Sequence, residues 1–279
     1  MSTDVVNSSP HVLNVRDLRI ALVDGTVLVD GVDFSLARGE SLGIVGESGS
    51  GKSLTCRAIL GILSAGVHVT AGSIDFDGIE LVDLPSKRWR PLRGLRIAAV
   101  FQDPASYLNP SIRVGEQLAE SLRSTLGLSR ANAEQRGLEL FEKMGLNNPT
   151  VVYRQYPHEL SGGMLQRVLI AIAVSAEPEL LIADEATTAL DVTVQAEVLD
   201  LLEDLRQELG LALIFVSHDL AVVAEVCDHV IVMRSGVVVE SGRSADLLAD
   251  PQHEYTRELV DNHREYGLET YVRKVTAGV

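Results

Sequence analysis

The sequence predicts an α/β protein built on a mostly parallel sheet, and three observations carry that expectation. Short apolar runs at Ser41–Val45, Leu180–Ala183 and Leu211–Val216 read as buried strands that alternate with helical sequence. A glycine-rich loop, Gly46-Glu47-Ser48-Gly49-Ser50-Gly51-Lys52-Ser53, joins the first of these strands to an apolar helix over Leu54–Leu63. Gln102, Asp184, Glu185 and His218 each stand at the carboxyl end of a predicted strand, where ligands sit in such sheets.

Taken in order, Val12–Ile20 and Val27–Leu36 read as strands, the second with Val32, Phe34 and Leu36 alternating against polar residues. Phe34 is expected in the core. Ala37-Arg38-Gly39-Glu40 is a turn, Val69–Phe76 a further strand, and Asp77-Gly78 closes it. From Pro85 the character changes: Arg88, Trp89, Arg90, Arg93 and Arg96 form a basic cluster, expected as a solvated face. Arg96–Phe101 is a strand, Ser106–Pro110 a turn-rich loop, and Val114–Leu126 and Arg130–Met144 are helices. A mostly helical insert, about 87–167, thus separates the glycine loop from the later strands. Leu165–Ser175 is an apolar helix. Asp191–Leu209 is amphipathic, with Val194, Val198, Leu201, Leu202, Leu205 and Leu209 on one face and Gly210 stopping it. Val230–Met233 and Val237–Glu240 form a hairpin around Ser235-Gly236, and Ala245–Leu248 begins a short helix. No motif is legible from physics alone beyond Pro251.

The bulk numbers exclude several classes. A chain of 279 residues is long enough for a large core. Its net charge of −15 argues against nucleic acid as a partner, since such binders present a basic face. Only Cys56 and Cys227 are cysteines, and nothing in the pattern pairs them, which points to a reducing compartment. Met1–Pro10 is polar and lacks the form of a signal peptide. No run approaches the roughly 20 apolar residues of a membrane span, so a membrane role would come through a partner.

The glycine loop fits G-x-x-x-x-G-K-[ST] at every fixed position. Its glycines let backbone N–H groups approach phosphate oxygens, and the following helix start adds partial positive charge. Lys52 can reach β- and γ-phosphates, and Ser53 can ligate Mg²⁺. Asp184, after four apolar residues, is placed to hold Mg²⁺, and Gln102 to touch either that ion or the lytic water. Glu185 is placed to orient or deprotonate an attacking water, and His218 to hydrogen-bond the γ-phosphate and Glu185. Ser161-Gly162-Gly163 before an apolar helix makes a second anion-accepting helix start, although one nucleotide in one chain needs only one.

Leu160-Ser161-Gly162-Gly163-Met164-Leu165-Gln166-Arg167 resembles the signature of ABC ATPases, and the other motifs follow in that family's order. Gln102 matches its Q-loop, Leu180–Glu185 its Walker B strand, Ala189-Leu190-Asp191 its D-loop and His218 its switch histidine. The resemblance covers roughly 12–260, inside an expected single nucleotide-binding domain over 10–260, with a tail of unknown role at 261–279. It implies a P-loop NTPase (RecA-like) core with an antiparallel β part and an inserted helical subdomain. It also implies ATP and Mg²⁺, with nucleotide contacts from Gly46 through Leu54, Gln102, Ser161, Gly162, Gly163 and Asp191. Two such domains would close head-to-tail, so that Ser161 of one meets the γ-phosphate held by Lys52 of the other.

A narrower likeness is to the oligopeptide, dipeptide and nickel import ATPases. It rests on the extended glycine loop, Phe101-Gln102-Asp103-Pro104, Leu108-Asn109-Pro110, Tyr156–Gly163, Ala189–Ala196 and His253-Glu254-Tyr255-Thr256. The likeness implies a peripheral subunit on the cytoplasmic face of the inner membrane. Its implied partners are two transmembrane permease subunits, an extracytoplasmic solute-binding protein and a second ATPase, either a copy or a sister chain. An exporter ATPase or a non-transport ABC ATPase in DNA maintenance are the alternatives. The absence of a long coiled coil or zinc insert speaks against the latter, and the Leu108-Asn109-Pro110 region favours import. Three departures stand out. Ile20-Ala21-Leu22-Val23 lies where the family commonly has an adenine-stacking aromatic. Ala186 replaces the usual proline after the Walker B glutamate. No cysteine follows Cys227, so no iron–sulfur cluster is expected.

Overall fold

The computed structural model describes residues 11–187 and 190–264. Ala189 of the D-loop, the polar start Met1–Pro10 and the tail from 265 lie outside the described residues. The chain divides into two units, one formed by the chain up to Ser86 and from His218 onward, the other by Lys87–Ser217.

The first unit opens with β1 (His11–Leu22) and β2 (Val27–Ala37), which pair antiparallel. The chain then passes through β3 (Ser41–Val45) and α1 (Lys52–Ile59) to β4 (Val67–Phe76), which returns antiparallel to β1. The two-residue β5 (Ile79–Glu80) follows the Asp77-Gly78 turn and completes a four-stranded sheet in the order β2-β1-β4-β5. Its inner face is the expected alternation: Val12, Leu18, Ile20, Val29, Val32, Ile74 and Phe76 are fully buried. Phe34 is only half-buried, so the core expectation for it was too strong. All five residues of β3 are buried, as a strand covered on both faces requires. Helix α1 begins two residues before the expected start, because Lys52 and Ser53 of the loop are already helical behind Gly51.

The second unit begins within α2 (Ser86–Trp89), at Lys87, and here the basic cluster splits. Arg88, Arg90 and Arg93 are exposed, the Arg93 guanidinium lying 4.4 Å over the ring of buried Trp89, whereas half-buried Arg96 pairs with Glu179. Strand β6 (Ile97–Phe101) follows. The turn-rich stretch after it contains one helical turn, α3 (Pro104–Tyr107), where the Asp103 carboxylate accepts the Ala105 N–H and proline takes the first helical position. Helices α4 (Val114–Leu126) and α5 (Arg130–Lys143) fall where expected and bury Leu118, Leu122, Leu140 and Phe141, each such burial contributing about 1.5–3 kcal/mol at most. After the short α6 (Pro149–Val152) come α7 (Gly162–Val174), β7 (Leu180–Asp184), α8 (Val192–Leu209) and β8 (Ala212–Ser217). Strands β6, β7 and β8 are parallel, with Phe101 opposite Asp184 and Asp184 opposite Val216. On α8 the buried stripe is Val198, Leu199, Leu202 and Leu205, while Val194, Leu201 and Leu209 are half-buried, so the stripe is rotated toward Leu199.

The chain re-enters the first unit at α9 (Leu220–Val226), capped by Asp219, whose carboxylate accepts the N–H groups of Ala221 and Val222. Strand β9 (His229–Arg234) lies parallel to β3, and β10 (Val237–Arg243) turns back antiparallel to β9. Asp228 ties this return to β3, accepting both the Ser41 N–H and hydroxyl at 2.9 and 2.8 Å. Helices α10 (Ser244–Ala249) and α11 (Glu254–Arg264) end the described chain. Among the described residues no helix is long and apolar enough to cross a membrane.

Candidate functional site

In the first unit the glycine loop is packed against the β9–β10 hairpin. A Cβ on Gly46, whose φ is +155°, would stand 2.1 Å from the Met233 carbonyl oxygen, so only glycine lets the loop leave β3 this close to β9. The Gly236 N–H donates to the Ser50 carbonyl at 3.1 Å, a second tie to the hairpin. Lys52 is 4% exposed, and its ammonium donates to the carbonyls of Gly46 at 2.7 Å and Glu47 at 2.8 Å. The cation is thereby held over the hollow of the loop rather than released to solvent. Ser50 Oγ is buried with no protein partner, and Gly51, at φ +103°, caps α1 without a side chain. A buried ammonium, a buried hydroxyl without a partner and an uncapped helix start suit an oxyanion. His218 belongs to this unit and is exposed.

The second unit carries the remaining residues. Asp184, 5% exposed, ends β7, and Gln102 follows the residue paired with it on β6, so the two leave adjacent strands at the same end. Glu185 has a left-handed backbone, φ +50°, and its N–H donates to Val216 at 3.0 Å. Such a conformation is costly for a side chain other than glycine and concentrates at functional sites. Ala186, buried, leaves it available. A proline there would push Glu185 toward extended backbone.

The signature stretch starts α7 earlier than the apolar run suggested. Ser161 is the cap, its Oγ accepting the Met164 N–H at 3.3 Å, and Gly162 and Gly163 are already helical. A Cβ on Gly163 would stand 2.5 Å from Val194 Cγ1, so the second glycine is what allows α7 to meet the start of α8. Gly162 faces Leu190, and Asp191 caps α8 through the Val194 N–H at 3.0 Å. Ser161, Gly162 and Asp191 are exposed together. Arg167 locks the helix behind them, donating to the Met144 carbonyl at 2.7 Å and to Glu197 at 2.8 Å.

One participant went unassigned in the sequence. The Tyr255 hydroxyl accepts the Glu47 N–H at 3.0 Å, although His253–Thr256 had offered only a family likeness. Nothing in the periodicity of that stretch ties it to a loop more than 200 residues earlier.

Of the residues the sequence offered for a metal, Ser53 lies in the first unit and Gln102 and Asp184 in the second, and they bear a hydroxyl, an amide oxygen and a carboxylate. That is a hard oxygen set suited to Mg²⁺, which is commonly held by one or two carboxylates beside substrate phosphates. The Asp184 carboxylate, buried at the end of β7, is the group among them that fits such an ion.

A parallel sheet fed by this loop defines a P-loop nucleotide-binding protein. The sequence profile of the ABC transporter family matches residues 29–188. The oligopeptide transport ATP-binding protein OppD of Escherichia coli is 46% identical over 89% of this chain and 74% of its own. The dipeptide transport ATP-binding protein DppD of Haemophilus influenzae is 43% identical over 91% and 78%. Among solved structures, cbiO1 of Clostridium perfringens, part of the ABC transporter complex cbiONQ, superposes with a TM-score of 0.76 at 28% identity, over 95% of this chain and 98% of that one. A dimeric ATP-binding cassette in a post-hydrolysis state with ADP and Pi gives 0.73 at 26% identity, over 83% and 98%. The chain belongs to the ABC transporter family and is an ATP-binding, ATP-hydrolysing subunit of it.

Proposed function

We propose that this chain powers a peptide importer by hydrolysing ATP in a site shared between two ATPase subunits. Each subunit offers two anion-accepting helix starts, the loop entering α1 and the exposed, Ser161-capped start of α7, and that duplication carries the reading. In the proposed mechanism Lys52 leaves the Gly46 and Glu47 carbonyls for the β- and γ-phosphates, while loop N–H groups hold the remaining oxygens. Ser53, Gln102 and Asp184 would hold Mg²⁺, which neutralises charge on the phosphate oxygens when bound. Glu185 accepts a proton from the water that attacks the γ-phosphorus, and the bond to the β–γ bridging oxygen breaks, leaving ADP and phosphate. His218 hydrogen-bonds the γ-phosphate side, and Ser161, Gly162 and Asp191 of the second subunit close over it.

Peptide cargo is supported by the names of the relatives, given for oligopeptide and dipeptide transport. A role beside two permease subunits and a solute-binding protein, at the cytoplasmic face of the inner membrane, accords with exposed Tyr107, Ile112 and Val151 on the second unit, apolar surface available to a protein partner. The test is reconstitution in vesicles with the permease pair and binding protein encoded beside this chain. Peptide-loaded binding protein is expected to raise ATP hydrolysis and drive uptake. Stimulation by a nickel chelate and by no peptide would replace the cargo, and outward movement would overturn import.

A further inference from the structure

We infer that Tyr255 is a positioning residue for Lys52, acting through the single peptide unit between Gly46 and Glu47. That unit is held at both ends. Its carbonyl, on Gly46, receives the Lys52 ammonium at 2.7 Å, and its N–H, on Glu47, donates to the Tyr255 hydroxyl at 3.0 Å. In a trans peptide these two groups point in opposite directions, so the lysine and the tyrosine brace the plane from opposite sides. Rotation of the plane would swing the Gly46 carbonyl away from the ammonium, and Tyr255 opposes that rotation whether or not Lys52 is engaged.

Tyr255 is itself fixed. It is 1% exposed, and the Arg234 guanidinium lies 4.7 Å over its ring. Its N–H donates to His253 Nδ1 at 3.1 Å. The N–H groups of Gln252 and His253 donate to the Glu240 carboxylate at 2.8 and 3.0 Å, anchoring the entry to α11 on β10. Burial raises the phenol above its ordinary value, so the hydroxyl stays neutral through the physiological range. The result is a continuous path from the hairpin, through His253-Glu254-Tyr255-Thr256, to the phosphate loop. It gives that tetrapeptide a role in nucleotide binding.

This inference rests on Lys52 acting at the phosphates, and the experiment separates the two. In the full-length chain, Tyr255→Phe removes the hydroxyl and keeps the ring beneath Arg234. By calorimetric titration, the Kd for Mg-ADP is expected to rise about three- to tenfold, the worth of one hydrogen bond. By hydrogen exchange of the nucleotide-free protein, the segment 46–50 is expected to exchange faster while the rest of α11 keeps its protection. Native exchange in 46–50 overturns the inference, as does native affinity. Equal acceleration across α11 also overturns it, by showing that the helix has merely loosened. Lys52→Ala supplies the separate control. If it binds Mg-ADP as the native chain does, the phosphate role of Lys52 fails, whatever exchange Tyr255→Phe shows.

Discussion

Glu185 holds a backbone conformation that costs stability, and the proposed chemistry explains why it would be kept. Glu185→Gln retains the hydrogen-bonding shape but accepts no proton. It is expected to bind ATP normally and to lose about 10²–10⁴ in hydrolysis rate. Glu185→Gly relieves the φ of +50° and is expected to lose the same activity with no fall in unfolding temperature. Near-native turnover in the glutamine variant would remove Glu185 from the role of base. Base selectivity is also decided by single residues. Of Ile20-Ala21-Leu22-Val23, only Val23 is exposed, at 77%, and it is aliphatic. Aromatic stacking on a base is worth roughly 1–3 kcal/mol, and its loss predicts less than about tenfold preference for ATP over GTP in competition binding. A much larger preference would show that another group stacks on the base. At this scale the places of the loop, Gln102 and the Asp184-Glu185 pair at strand ends were legible, because short apolar runs mark the strands that precede them. Tyr255 was not, since one hydroxyl meeting one distant N–H leaves no periodic trace.

Helices read well where a broad apolar stripe or a cap announced them. Val114–Leu126 was read to its ends, and Gly210 stops α8 in the left-handed conformation its sequence demands. Helix α11 escaped because Glu254, Arg257, Glu258 and Asp261 dominate it, and over residues 254–261 the buried side chains are Tyr255, Thr256 and Val260. Helix α7 began early because two glycines in a row suggest a loop, whereas here they are small first-turn residues behind the Ser161 cap. The anchoring of α11 carries its own prediction. Burial raises the Glu240 carboxyl, but the hydrogen bonds it accepts, those from Gln252 and His253 among them, outweigh this and hold it below its ordinary 4.5. A depressed folded value means the contribution is complete above the unfolded value and is lost as pH falls through the folded one. Glu240→Ala, which leaves two N–H groups without their acceptor, is expected to cost about 1–3 kcal/mol at neutral pH in denaturant unfolding. The gap to the native chain should close on acidification below about 4.5, the ordinary carboxyl value. A gap independent of pH would show that Glu240 acts by packing alone.

For the whole molecule, the proposed mechanism asks residues carried by two units to serve one nucleotide. The first unit brings Lys52 and His218, the second Asp184, Glu185 and the Ser161 cap. The alternating strands and the motif order made the fold legible, while the proposed sharing of the site between subunits rests on the duplicated anion-accepting helix starts. Head-to-tail pairing would set the Lys52 loop of one chain against the Ser161 start of another, and closure would exclude water and strengthen each phosphate contact. The most direct test mixes two inactive proteins, one Lys52→Ala and the other Ser161→Arg, and measures ATP hydrolysis. Ser161→Arg also forfeits a helix cap worth about 0.5–2 kcal/mol, so its folding is checked first by thermal unfolding. In a mixed dimer one of the two sites regains both native residues, and activity is expected to return on mixing, or on adding a sister ATPase if the working pair is heteromeric. A Ser161→Arg protein that is fully active by itself would contradict the shared site.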